Sequence, residues 1–309
     1  AYIPPFGDFT VATPNLSRLA QEGVIYPNLY STSGVCAPSR AAIATGMYPS
    51  SIGANHMRTN SYMDVTGLPA YEAVPPSNVK MISEWMRIEG YYCTNNFKTD
   101  YQFKAPVTAW DESSPYAHWR NREDNQPFFA VFNFTDTHES GLFEPYGHRY
   151  IETRHHHSGD RLYKWEKDRM TEQETPKYLS KDSEFNIPPY LPNTEVTRRD
   201  MWKLYNNIGE MDRQVGAVLK QLEDDGLLEN TIIFFYGDHG VDFAPTLLSL
   251  MGQEPKPYMQ GQAFLGKYQA EEREYIHAAA DRFDGFTDAI RAVRDDQFKY
   301  IRNYRPEQG

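Results

Sequence analysis

Two short runs in this sequence are apolar almost throughout, and both end in turns loaded with polar chemistry. Phe128 to Phe134 leads into Thr135-Asp136-Thr137-His138, and Thr231 to Tyr236 leads into Gly237-Asp238-His239-Gly240. Apolar side chains on both faces of a strand require cover on both faces, as in a parallel sheet between helices. Both runs are therefore expected as buried strands, with Phe128 to Phe134 central. In an open parallel sheet ligands bind at the carboxyl ends of the strands, which is where these two turns fall.

Helical periods alternate with such runs. Thr13 to Gly23 carries a Thr at the cap position, Pro at the first helical position and Gly past the end, the signature of a short amphipathic helix. Val24 to Tyr30 follows as a strand, and Pro38 to Thr45 as a helix closed by Gly46. Ser77 to Glu89 places Val79, Ile82 and Met86 on one helix face, with Gly90 as the stop and a strand at Tyr91 to Thr94. Thr194 to Asp225 is one long helix, its apolar face running from Met201 to Leu222, ended by Gly226. This alternation predicts a doubly wound α/β domain. Residues 139–192 are polar and aperiodic and are expected as a loop-rich excursion that shapes a binding site. After Gly252 come three short strands, Tyr275 to Ala279, Ile290 to Arg294 and Phe298 to Asn303. The division expected is a large α/β domain over 1–252 and a small antiparallel C-terminal subdomain over 253–309.

The 309 residues are 40% hydrophobic, and a chain of this size buries roughly three quarters of its unfolded surface. No apolar stretch nears the roughly 20 residues of a membrane span, and no signal peptide is readable at Ala1. Forty-two acids against 31 bases, a formal charge of −11, disfavour a nucleic-acid partner, so an anionic substrate must be held by local basic groups. Two cysteines cannot build a disulfide framework.

One of them has chemistry written around it. Cys36-Ala37-Pro38-Ser39-Arg40 opens a helix that ends at Thr45-Gly46, so a cysteine sits at a helix N-terminus with an arginine one turn along. That setting favours an anion at Cys36. An activated nucleophile and a buried structural cysteine both remain readings of the residues alone. The turn Asp238-His239 between two glycines suits a cation site, with a solvated turn as the plain alternative.

The six positions Cys36, Pro38, Ser39, Arg40, Thr45 and Gly46 resemble the signature of the type I sulfatases of the alkaline phosphatase superfamily. The run Pro189 to Thr194, with Tyr205, Met211-Asp212 and Val215-Gly216, is similar to the branch of heparan N-sulfatases and bacterial glycan sulfatases. The resemblance implies an alkaline-phosphatase-like α/β fold with a small C-terminal sheet. It implies that Cys36 is oxidised to formylglycine by a maturation enzyme, the hydrated aldehyde supplying the nucleophilic oxygen. It implies roles for Arg40 and Lys98 on the sulfate, for His138 on the sulfate and as an acid, and for Asp238 and His239 as calcium ligands. The expected activity is hydrolysis of sulfate esters of a sulfated sugar or polysaccharide. Phosphonate or phosphodiester hydrolysis and non-catalytic glycan binding are the alternatives. An exported enzyme of the bacterial periplasm is implied by the same likeness.

The sequence departs from that pattern at three places. No first strand with paired aspartates precedes Pro4-Pro5, and Gly240 abuts Val241 where the family has several tens of residues, including a second lysine. Segments there and after Gly309 are expected to be missing from this sequence rather than from the protein. The histidine two residues beyond the sulfate-binding lysine is Asp100 here, so Asp100 or His56 is expected to take its proton-transfer role. Arg58 is a candidate for binding an anionic substrate. His155-His156-His157 with Asp160 is expected as a solvated or substrate-facing loop, and Cys93 as a small buried hydrophobe. Tyr146, Tyr163 and Trp165 could stack on sugars or simply pack.

Overall fold

The computed structural model describes residues 2–27, 29–57, 59, 67, 69–96, 98–143, 146, 175–237, 240–282 and 289–307. The chain forms two compact units: Ala1–Pro27 with Phe132–Ile233, and Asn28–Val131 with Phe234–Gly309.

The first unit is built on two helices, α1 (Pro14–Glu22) and a 30-residue helix, Glu195–Asp224. The long helix starts as its cap predicts, with the Thr194 hydroxyl accepting from the Thr197 N–H at 3.2 Å. Its apolar face, from Met201 to Leu219, packs with Val11, Leu16 and Leu179 into one core. Two glycines seven residues apart admit neighbours against its backbone. A Cβ on Gly209 would lie 2.2 Å from the Tyr178 ring, and one on Gly216 would lie 2.6 Å from the Asn15 side chain. The start of α1 departs from the sequence reading, because Thr13 makes no side-chain cap. Asp212 of the long helix caps it instead, accepting from the Leu16 N–H at 2.8 Å and the Asn15 N–H at 3.3 Å.

The second unit holds α2 (Cys36–Thr45), α3 (Ile82–Ile88), β1 (Tyr92–Asn96), β2 (Glu112–Ser113), the edge strand β3 (Phe128–Phe132) and a later helix, Phe243–Leu250. In chain order the helix Glu195–Asp224 is α4 and Phe243–Leu250 is α5. The sheet order is β2-β1-β3, and β1 runs parallel to β2 with Thr94 opposite Glu112. Ile82 and Met86 of α3, Cys93 of β1 and Leu247 and Leu248 of α5 form one core cluster. Three strands, β4 (Ile276–Ala280), β5 (Ile290–Arg294) and β6 (Lys299–Asn303), make the expected antiparallel C-terminal sheet in the order β4-β5-β6.

Several sequence expectations are corrected. Val24 to Tyr30 and Thr231 to Tyr236 contain no strand among the described residues, and Val24 and Ile232 are 75% and 67% exposed. A strand needs a neighbouring ladder for its backbone, and neither run belongs to a ladder among the described residues. Phe128 to Phe132 is half-buried at the edge of its sheet, so β1 is the central strand. The helix expected over 77–89 is confined to Ile82–Ile88, preceded by extended Met81, whose N–H is accepted by Glu84 at 2.9 Å. Helix α2 begins at Cys36, two residues before the expected start.

Candidate functional site

Each position of the cysteine signature has a physical task. Cys36 is the first residue of α2, half-buried, after an extended Val35. Pro38 stands in the first turn, where a missing N–H costs nothing. Ser39 is fully buried, its hydroxyl 3.2 Å from that of Ser31. Thr45 donates back to the Ala41 carbonyl at 2.7 Å, and Gly46 ends the helix at φ 69°. A Cβ on Gly46 would lie 3.1 Å from the Met259 side chain, which would have to give way, and the left-handed backbone would be strained with any side chain.

Arg40 is only 8% exposed and does not point into water. Its Nε donates to the Thr99 carbonyl at 2.9 Å and its Nη2 to the Lys98 carbonyl at 2.6 Å. The guanidinium also lies 5.6 Å from the centre of the Tyr101 ring. Burial pushes the Tyr101 phenol up, and Arg40 works against that shift. The helix bearing Cys36 is thereby bolted to the loop bearing Lys98 and Asp100.

That loop leaves β1 through two buried asparagines. Asn95 donates to the Lys98 carbonyl at 3.2 Å and to Ser113 Oγ at 3.1 Å, while Asn96 donates to the Pro115 carbonyl at 2.7 Å. Asp100 and Gln102 both adopt left-handed backbone, at φ 48° and 59°. Each such non-glycine residue costs roughly 1–3 kcal/mol and persists only where its surroundings over-determine it.

His56 approaches from a third segment. Its neighbour Met57 accepts the Ala37 N–H on sulfur at 3.4 Å, which places this segment at the start of α2. Asn55 donates to Asp281 at 2.8 Å, and the Met57 N–H donates to the Arg282 carbonyl at 2.9 Å. The imidazole meets the Tyr71 ring edge-on at 4.9 Å, and its Nδ1 is buried with no hydrogen bond among the described residues. Burial holds its pKa below the usual histidine value, with Arg282 acting in the same direction and Asp281 against it. A neutral ring that can take up a proton results.

Cys36, Arg40, Lys98, Asp100 and His56 all belong to one unit, in which Arg40 ties α2 to the Lys98–Thr99 backbone and Met57 ties it to the segment of His56. His138 belongs to the other unit, where it caps the 3-10 turn Glu139–Leu142. Its Nδ1 accepts from the Ser140 N–H at 3.3 Å and lies 2.9 Å from the Ser140 hydroxyl. Arg58, Asp238, His239, Tyr163, Trp165 and the His155 to His157 run lie outside the described residues. Among the described residues no three His, Cys, Asp or Glu side chains gather as a metal site. Cys93 is fully buried and burial pushes its thiol up, as expected of a packing residue. Tyr146 is buried against Trp202, so it packs.

The sequence reading missed several buried or bridging residues beside the site. Thr32 and Ser33, just before Cys36, are 2% and 1% exposed, and neither hydroxyl has a hydrogen-bond partner among the described residues. Gln102 ties the Lys98 loop to Thr59 and Tyr71. No local spacing announces either feature. The one available signal was the run of small hydroxyl residues Ser31-Thr32-Ser33 ahead of the cysteine.

Residues 5–271 match the sulfatase family. An ulvan-active sulfatase of Formosa agariphila is 71% identical across the whole chain, which spans 60% of that relative's length. The aligned stretch covers 355 positions, more than the 309 residues here, so the relative carries residues between its matched ends that have no counterpart in this chain. Human N-sulphoglucosamine sulphohydrolase is 27% identical over 77% of the chain and 48% of that enzyme. Among solved structures, a protein in complex with its substrate D-Glucosamine-2-N, 6-O-disulfate superposes at TM-score 0.62, with 17% identity over 99% of this chain and 87% of that one. A phosphonate monoester hydrolase of Silicibacter pomeroyi superposes at 0.58, with 16% identity over 96% of this chain and 83% of that one. These likenesses carry the fold alone, that of the alkaline-phosphatase-like enzymes, whereas the family match and the 71% identity settle the ancestry: the chain belongs to the sulfatase family.

Proposed function

We propose that this protein hydrolyses sulfate esters of a sulfated polysaccharide, with ulvan as the first candidate substrate and a formylglycine at position 36 as nucleophile. The observation that carries the reading is the six-position signature, folded so that Arg40 locks the cysteine helix to the Lys98 loop. Formylglycine would supply a hydrated aldehyde oxygen for attack on sulfur. The start of α2, at the positive end of the helix dipole, suits an oxygen that gathers negative charge.

The remaining roles fall to side chains. Lys98 supplies an ammonium for charge developing on the sulfate oxygens, and Arg40 holds that lysine's loop and adds its own positive charge beside it. This local cationic cluster lets a chain of net charge −11 receive an anion. His56, held neutral, is suited to take the nucleophile's proton, with Asp100 as the nearby alternative. His138 in its protonated, imidazolium form is suited to protonate the departing sugar oxygen, with Ser140 Oγ, 2.9 Å from Nδ1, able to accept the ring's other N–H. Arg58 extends the anion-binding set.

Asp238 and His239 are assigned to calcium. A carboxylate oxygen fits this hard cation, which takes six to eight oxygen ligands, so the two residues furnish part of a shell at most. Calcium there would neutralise charge on the sulfate. Part of the segment present in the relative is placed at the Gly240–Val241 junction. The parts of the protein meant are a catalytic domain over 1–252 and a C-terminal subdomain over 253–309, in an exported, periplasmic enzyme matured by a formylglycine-generating enzyme.

The deciding experiment measures sulfate released from ulvan and other sulfated oligosaccharides, with a phosphonate monoester beside them, by the full-length protein and by Cys36→Ala. Turnover of the sulfated substrates, lost in Cys36→Ala, and an aldehyde mass at position 36 are expected. Full activity with an unmodified thiol rejects the mechanism, preference for the phosphonate rejects the substrate class, and binding without turnover leaves a glycan-binding relative. For the metal, Asp238→Ala is expected to fold but to lose bound calcium by elemental analysis; unchanged content rejects the assignment.

A further inference from the structure

The loop after β1 is held in a shape its residues do not prefer. Asp100 and Gln102 are both left-handed, and Tyr101 between them is buried, stacked on Phe103 at 5.7 Å. Left-handed positions are filled at least cost by glycine or asparagine. Gln102 is neither, and its side-chain amide nitrogen makes two hydrogen bonds. Its Nε2 donates to Thr59 Oγ1 at 2.6 Å and to the Tyr71 carbonyl at 3.1 Å. Its own carbonyl accepts from the Ala73 N–H at 2.9 Å.

The partners of that amide form a closed unit of their own. The Thr59 hydroxyl donates to the Tyr71 carbonyl at 2.6 Å, and the Tyr71 N–H donates to the Thr59 carbonyl at 2.9 Å. The Tyr71 hydroxyl donates to the Gly53 carbonyl at 2.8 Å, and its ring is the one that meets His56 edge-on. One glutamine therefore joins the loop of Lys98 and Asp100 to the segment of His56. Arg40 holds the other end of the same loop.

We infer that Gln102 is a positioning residue that sets Lys98 and Asp100 against His56 for the chemical step. The inference rests on the sulfatase reading above, and it assigns Gln102 no contact with substrate. Left-handed backbone at positions 100 and 102 is the strain that the crossing hydrogen bonds sustain.

Two variants of the full-length, formylglycine-bearing protein test it. Gln102→Gly removes the amide while easing the left-handed backbone, so the fold is protected. Gln102→Glu keeps the shape and removes the donors. Both should lower kcat by about tenfold or more while KM moves less than about threefold, the split expected when only the transition state loses stabilisation. In a Lys98→Ala background the same Gln102→Gly change should cost much less, because the group it positions is gone. A structural latch with no link to Lys98 predicts simple additivity. Parental kcat in Gln102→Gly, or a loss fully additive with Lys98→Ala, overturns the inference. Turnover that survives in Cys36→Ala would instead remove the sulfatase reading, an outcome distinct from either.

Discussion

Helices α2 and α4 each bury a full charge, and they neutralise it by different means. Glu210 of α4, 7% exposed, is met by side chains: the Tyr178 hydroxyl at 2.6 Å, Arg213 through two nitrogens, and Gln214 at 3.1 Å. Arg40 of α2, 8% exposed, is met by two backbone carbonyls lying 58 and 59 residues away. A charge satisfied by neighbours three and four positions along its own helix stabilises that helix and its packing. A charge spent on the carbonyls of a strained loop fixes where that loop's side chains stand. The first device serves stability and the second serves the site.

The comparison can be sharpened by removing one group at a time. Lys98→Ala should leave the fold intact and lower kcat by roughly a hundredfold or more, by analogy with loss of one oxyanion donor, while raising KM less. Parental kinetics would take Lys98 out of the site and leave the Arg40 clamp without a catalytic purpose.

Glu210→Gln should do the reverse, lowering unfolding free energy by about 1.5–3 kcal/mol, the usual size for hydrogen bonds to a charged group, with turnover per folded molecule unchanged. Burial pushes the Glu210 carboxyl up, but hydrogen bonds from Arg213, Tyr178 and Gln214 outweigh it and hold the pKa below the ordinary value of 4.5. A depressed carboxyl contributes stability above its unfolded pKa and loses it as pH falls through the folded one. Denaturation curves of the parent and Glu210→Gln should accordingly converge below pH 4.5, and a gap that persists into acid would show that the charge is not the cause.

Thr194→Ala tests the smallest term. Loss of its bond to the Thr197 N–H should cost about 1 kcal/mol in chemical denaturation, and no change in the midpoint would mean that α4 needs no cap.

Legibility in the sequence follows a related division. The long helix was readable from Thr194 to Gly226, because a helix satisfies its backbone within itself and its apolar period is local. The strand at Ile290 to Arg294 was readable too, and it lies between two partners. Val24 to Tyr30 and Thr231 to Tyr236 carry comparable β-forming residues and join no ladder among the described residues, with Ile232 67% exposed. Strand propensity describes a surface that suits pairing and does not supply the pair.

Within the candidate site the same boundary holds. The sequence by itself determined the helix at Cys36, its end at Thr45-Gly46 and the family to which the signature belongs, since these depend on residues within a few positions of one another. Only the tertiary structure decided that Arg40 grips the Lys98 and Thr99 carbonyls, that Asp212 caps α1 in place of Thr13, and that Gln102 reaches Thr59 and Tyr71. Each of those contacts joins segments far apart in the chain. Their geometry is set by how helices and strands pack, and no spacing along the sequence encodes it.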